Sequence, residues 1–297
     1  MRNLPLPHRE TSRADLIASI RQYNYRGPQG HALSEIEISD LLALYDQYDQ
    51  DRGAASQLLK GSNFPQTLID ALDAAYEKTY ETRSLYPLRE RLFKGIGLCP
   101  ICGIDPVAEL DHFLPRSHFA PLAIYARNLV PSCHDCNHIK LAGFGGQNEE
   151  ELAFVHAYFD ALPDIQFLEA QIDISEGGLV ATFQVIPEVA LDEGISGRLS
   201  NQMITLKLNE RYEKELNNYV MSHATAIHLE HARKGERGVR KFLRNQGAIE
   251  AENLYTNHWR PTLLRALANH DEFVGEGFVE IFKVPQRILD ELLDDSD

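Results

Sequence analysis

CPICGIDPVAELDHFLPRSHFAPLAIYARNLVPSCHDCNHIK, residues 99–140, decides how the rest of this chain is read. It opens and closes on a C-x-x-C pair, Cys99/Cys102 and Cys133/Cys136, and the chain has no other cysteine. In a reducing compartment such a set is rarely a disulfide framework. Two residues between thiolates let one tight turn aim both sulfurs at one ion, and two such turns complete a tetrahedral Zn²⁺ shell. Four sulfurs close that shell, so the expected zinc is structural and has no open position for water.

Between the pairs, VAELDHF and NLVP are short strand candidates, and a helix begins within CHDCNHIKLAGF. Asp111 sits directly beside His112. Neighbours on a regular strand point to opposite faces. The two can flank one phosphate only if the strand is ending there. Pro115, which cannot donate to a sheet ladder, supports that ending. His118, His134 and His138 also lie nearby, and each reads as a surface or supporting residue without a primary role.

Over about residues 95–145 the sequence resembles the HNH endonucleases, which have the ββα-metal fold. The resemblance rests on Asp111-His112 at the end of the first strand and Asn128-Leu129 before the second cysteine pair. Asn137 follows that pair, and Lys140 lies three residues on. The resemblance implies His112 as the general base, because an imidazole titrates near neutrality. It implies Asp111 and Asn137 as ligands of a catalytic Mg²⁺ or Mn²⁺, since hard cations take oxygen donors. Asn128 would tie the loop down and aim His112. Lys140 would touch phosphate or stand solvated.

Outside this core the first ~95 residues read as helical. A short candidate lies near Ala14–Gln22. Ser34 and Glu37 are spaced as a capping box ahead of Ile38, Leu41, Leu42, Tyr45 and Tyr48. Leu68, Ile69, Leu72, Tyr76 and Tyr80 form a second stripe, interrupted at Pro87, with Gly95 as a C-terminal cap. The tyrosines read as core. After residue 146, FLEAQIDISEGGLVATFQVI alternates as a β-hairpin over 167–186, turning at SEGG. From about Gly194 the chain is again helical, ending in an acidic tail expected to fray. HARKGERGVRKFLR is locally basic, opposed along the chain only by Glu236, and reads either as a phosphate-contacting face, with Arg240 and Lys241 as contacts, or as a solvated helix face.

The expected fold is therefore α+β, mainly α. It comprises a helical region 1–94, an HNH core 95–145, and a C-terminal region 146–297 with the hairpin followed by helices. No apolar run is long enough for a membrane helix and the start lacks a secretory apolar segment, so the expected address is cytoplasmic with no membrane partner. With 44 acidic against 29 basic residues and a net charge of −15, non-specific coating of nucleic acid is disfavoured. The expected activity is metal-dependent hydrolysis of DNA, double-stranded by preference, with structural Zn²⁺ and catalytic Mg²⁺ or Mn²⁺. The order of the regions is similar to that of stand-alone bacterial HNH proteins of anti-phage defence and mobile-element loci. That similarity implies control by a partner ATPase or other regulatory subunit, or by homodimerisation. The competing expectation is a zinc-stabilised nucleic-acid- or protein-binding adaptor that does no chemistry.

Overall fold

A computed structural model describes residues 1–20, 31–145, 152–175, 178–187, 189 and 191–294. The protein is mainly helical with two small antiparallel sheets, an α+β chain. It divides into two compact units.

The first unit comprises residues 3–162 and 197–206. It holds α1 (Ser12–Ser19), α2 (Glu35–Gln50), α3 (Gln66–Ala75), α4 (Tyr86–Phe93), β1 (Glu109–His112), β2 (Leu129–Ser132) and α5 (His134–Lys140). The helical front and the stretch between the cysteine pairs are thus parts of one unit. α1 ends at Ser19, short of the expected Gln22, and Gln22 itself lies outside the described residues. α2 begins on the expected capping box: the Glu37 N–H donates to Ser34 Oγ at 3.3 Å, and the Ser34 N–H donates to Glu37 Oε2 at 2.8 Å.

The second stripe departs from its expected form. α3 ends at Ala75, and Tyr76 continues in a single 3₁₀ turn. Tyr80 lies beyond that turn, exposed, with the Arg89 guanidinium over its ring. Pro87 does not interrupt a helix but sits in the first turn of α4, where its missing N–H costs nothing. Gly95, at φ +76°, follows the last residues of α4 as expected of a C-terminal cap. β1 and β2 pair antiparallel, Glu109 opposite Ser132 and His112 opposite Leu129. Their inner face packs with Tyr76, Leu88 and Leu92 in a core completed by Leu110, Ala126 and Leu129. The front helices therefore form the wall on which the short sheet rests.

The second unit comprises residues 1–2, 163–196 and 207–297. β3 (Leu168–Ser175) pairs with β4 (Gly178–Val185) over eight positions, Leu168 opposite Val185 and Ile174 opposite Leu179. The register brings the two expected apolar rows onto one face, with Leu168, Leu179, Ala181 and Phe183 buried. Glu176 and Gly177 of the expected SEGG turn lie outside the described residues. α6 (Glu193–Thr205) starts in this unit, and its residues from Gly197 count with the first. α7 (Leu208–Met221), α8 (Ala224–Asn253) and α9 (Trp259–Asn269) follow, then α10 (Phe278–Ile281) and α11 (Gln286–Asp294).

Asparagines complete the hairpin edges. On α7, Asn209 bonds both backbone groups of Phe183, and Asn217 bonds both of Leu179. Asn257 accepts from the N–H groups of Phe167 and Leu168. Edge amides that would otherwise template another strand are thus satisfied. α8 breaks at Gly235, whose φ of 58° and ψ of −154° only glycine adopts readily. The acidic tail is helical through Asp294 rather than frayed there, and residues 295–297 lie outside the described ones. Among the described residues no helix is long and apolar enough to cross a membrane.

Candidate functional site

The four cysteines come together as their spacing requires. All are buried, and their sulfurs lie within 4.8 Å of one another. Cys102 Sγ and Cys133 Sγ are 3.7 Å apart. A tetrahedral ion with Zn–S bonds of about 2.3 Å holds its sulfurs roughly 3.8 Å apart. Backbone amides already favour thiolates here: the Ile104 N–H donates to Cys102 Sγ, and the Cys136 N–H donates to Cys133 Sγ, each at 3.4 Å. Sulfur spacing and amide donors both fit zinc, and Cys99, Cys102, Cys133 and Cys136 could hold it. Cys133 is also the N-cap of α5, so the cluster sets where that helix begins.

β1 ends at His112, but that ending does not bring Asp111 and His112 to one face. Asp111 and His112 face opposite ways. The His112 ring lies 4.5 Å from that of Tyr76, and its Nε2 is 2.9 Å from the Ala123 carbonyl. A carbonyl only accepts, so the proton sits on Nε2 and leaves Nδ1 with a free lone pair. Burial pushes the pKa of this imidazole down to about 3, against the opposing Ala123 contact, so the ring is neutral but does not titrate near neutrality as expected of it.

Asn128 shapes the loop that supplies this carbonyl. It is fully buried. Its Oδ1 accepts from the Leu114 N–H at 2.8 Å, and its Nδ2 donates to the carbonyls of Leu114 and Leu122 at 3.0 and 3.2 Å. Leu122 directly precedes Ala123, so Asn128 fixes the backbone that orients the His112 ring.

Behind Asn128 runs a chain of hydrogen bonds that the sequence does not announce. The Tyr158 N–H donates to His156 Nδ1, which leaves the His156 proton on Nε2. That nitrogen lies 2.9 Å from the Tyr48 hydroxyl, and the hydroxyl donates to Asn128 Oδ1 at 3.1 Å. Tyr45 donates to the Pro121 carbonyl at 3.1 Å and stacks on Tyr125 at 4.0 Å. Tyr125 and Arg127 both bond Asp49. The tyrosines of α2 are core residues as expected, but their hydroxyls also hold the 113–128 loop.

On the opposite face of β1, Glu109 and Asp111 share parity and meet α5. Asn137 Nδ2 donates to Glu109 Oε2, and His134 Nδ1 lies 2.7 Å from Glu109 Oε1. Burial works to raise the Glu109 carboxyl, but Asn137 and His134 hold it below its usual range. The sequence reading missed Glu109, although period-two alternation placed it beside Asp111. Asp111 is buried and accepts from Lys140 Nζ at 3.0 Å. Burial pushes its carboxyl up, opposed by that ammonium.

Lys140 therefore corrects both of its expected placements. It is neither solvated nor presented to phosphate, but buried between the Asp111 carboxylate and the His112 carbonyl, 2.7 Å away. These bonds leave one oxygen of Asp111 and the Asn137 side-chain oxygen without a hydrogen-bond partner among the described residues. His118 and His138 are exposed, the latter stacked on His134.

The basic stretch of α8 lies in the other unit. Arg240 is not the phosphate contact expected of it. Its guanidinium bonds Asp271 at 2.6 Å and the Ala268 carbonyl at 3.0 Å. The opposing acid comes from outside the run, where local charge counting does not find it. Lys241 is exposed.

No family model matches the chain, and no solved structure matches it. Among curated proteins it is similar to Protein ea31 of Escherichia phage lambda, 27% identical over 190 residues, which take in 59% of this chain. The chain spans 62% of that relative's length.

Proposed function

We propose that the protein is a metal-dependent endonuclease of the HNH kind, hydrolysing phosphodiester bonds in DNA. The observation that carries this reading is His112: a neutral imidazole at a strand end, its Nε2 fixed on the Ala123 carbonyl within a loop tied by Asn128. Nδ1 of His112 takes a proton from water. That water oxygen attacks phosphorus, and the bond from phosphorus to the 3′ oxygen breaks. Asn128 and Tyr48 keep the ring aimed. Asp111 and Asn137 would hold a divalent Mg²⁺ or Mn²⁺, with Glu109 turning the Asn137 amide so that its oxygen faces outward. A cation bound there would supply positive charge to the phosphate oxygens and the departing 3′ oxygen. Zinc on the four cysteines stands apart, as the tie between the start of β1 and the start of α5.

Restraint of such an enzyme by a partner ATPase or other regulatory subunit, by homodimerisation, and a role in anti-phage defence belong to the same proposal, as does a cytoplasmic address. A second reading, a zinc-stabilised adaptor without chemistry, draws on the Lys140 ammonium that already neutralises Asp111. One experiment separates the two readings. Supercoiled plasmid is incubated with purified protein and Mg²⁺ or Mn²⁺. The expected result is nicking by wild type and a loss of about 10²–10⁴-fold in His112→Ala with zinc content unchanged. Equal nicking by the alanine variant, or none by wild type with either ion, overturns the nuclease reading.

A further inference from the structure

We infer that a cavity in the second unit, between β3 and the facing sides of α8 and α9, is a binding site for a phosphate ester of nucleotide size. The cavity is about 450 Å³, within the usual range for small-ligand sites. Its lining includes Arg244, Arg265, Asn269 and His270, with Ile172 on the apolar side and Glu169 as the single carboxylate.

The lack of an ion pair at the two arginines lining this cavity is what calls for a ligand. Several arginines of this acidic chain have a carboxylate partner, as Arg91, Arg127, Arg198 and Arg240 do. Arg265 and Arg244 form no ion pair among the described residues. Arg265 is held only by neutral oxygens, the Thr256 carbonyl at 2.8 Å and Thr262 Oγ1 at 3.0 Å, and its buried Nε–H has no acceptor. Burial lowers its pKa, the signature of a guanidinium short of compensation. Arg244 donates to Asn269 Oδ1 at 3.1 Å, which leaves the Asn269 amide hydrogens as donors. His270 Nδ1 accepts from the Phe273 N–H at 3.2 Å, so its Nε2 carries the proton and donates. Glu169 is engaged by Gln184 at 2.8 Å.

The wall is therefore rich in donors and carries two uncompensated planar forks, the geometry that suits phosphate oxygens. A lone phosphate would fill little of the volume. The apolar side at Ala170, Ile172 and Ala266 leaves room for an attached nucleoside. The inference does not depend on the nuclease reading, because the cavity lies wholly within the other unit.

The test is calorimetric titration of the full zinc-bearing chain, without added divalent metal, against inorganic phosphate, AMP and a short DNA duplex. AMP is expected to bind saturably, more tightly than phosphate and more weakly as salt rises. Arg244→Gln, at an exposed position, and Arg265→Lys, which keeps the charge but loses the fork, should each weaken AMP by roughly 10–100-fold, the worth of one charged hydrogen bond. Lys241→Gln should leave it unchanged. Should Arg265→Lys fold poorly, Arg244→Gln alone decides. No AMP binding at millimolar concentration, or binding indifferent to Arg244→Gln, overturns the inference. Duplex binding that depends on Arg244 in the absence of AMP binding assigns the phosphate to a DNA backbone and overturns the nucleotide-sized site.

Discussion

Tyr48→Phe removes one oxygen from a fully buried position, and its cost can be worked from the hydrogen bonds it ends. The hydroxyl lies between His156 and Asn128, taking a proton from one and giving one to the other. Asn128 Oδ1 keeps the Leu114 amide as a donor, so its loss is partial. The His156 Nε2–H keeps nothing, since its other nitrogen is already committed to Tyr158. One orphaned buried donor costs about 1–3 kcal/mol, and the ring stays in place, so no cavity term is added. Urea denaturation followed by circular dichroism should show a lower midpoint, an unchanged slope and a loss of about 1–3 kcal/mol. Zinc content should not change, because the cysteines lie on other segments. His156→Phe ends the same hydrogen bond by removing its donor, so the double variant should cost less than the two single losses added. A loss under about 0.5 kcal/mol, or additivity within about 0.3 kcal/mol, would show that the chain of hydrogen bonds is not coupled. In that case it does not hold the loop that aims His112.

Three further outcomes follow from other contacts. Cys133→Ser should remove zinc, read as metal per chain, and lower stability, although the serine oxygen can still cap α5 by accepting from the Cys136 N–H. Lys140→Met should cost about 3–5 kcal/mol in urea, since it leaves Asp111 buried and unpaired, and adding Asp111→Leu should recover much of that loss. A Lys140→Met variant as stable as wild type would mean that the ion pair does not persist in solution. The third outcome concerns acid. Burial holds His156 well below its ordinary value of 6.5, so the folded protein binds its proton less readily than the unfolded chain. Stability from this group is complete above about pH 6.5 and falls by up to about 1.4 kcal/mol per pH unit below it. The wild-type curve should therefore drop more steeply between pH 6.5 and 5 than that of His156→Phe, and parallel curves would refute the assignment.

What the sequence discloses about this site follows from how far each interaction reaches along the chain. The cysteine cluster was legible because its pairing is local: two residues between thiolates allow one turn, and only four thiols exist. Asn128 was singled out through the resemblance, and its bonds to Leu114 and Leu122 are local, whereas the one it accepts from Tyr48 is not. Tyr48 and His156 were not legible as partners, because they are 108 positions apart and meet only after the front helices have packed. Glu109 was legible in principle, since alternation along four residues places it beside Asp111, but a carboxylate on a short strand reads as surface until α5 is laid across it. Lys140 and Arg240 fail together for one reason. A lysine or arginine in sequence shows its charge but not its counter-charge, and both partners here, Asp111 and Asp271, lie about 30 residues away. The same reasoning gives weight to Arg244 and Arg265. They remain without a carboxylate partner among the described residues after folding has had the chance to bring one. A cation that the fold leaves uncompensated in a concave wall is better evidence of a ligand than any run of basic residues.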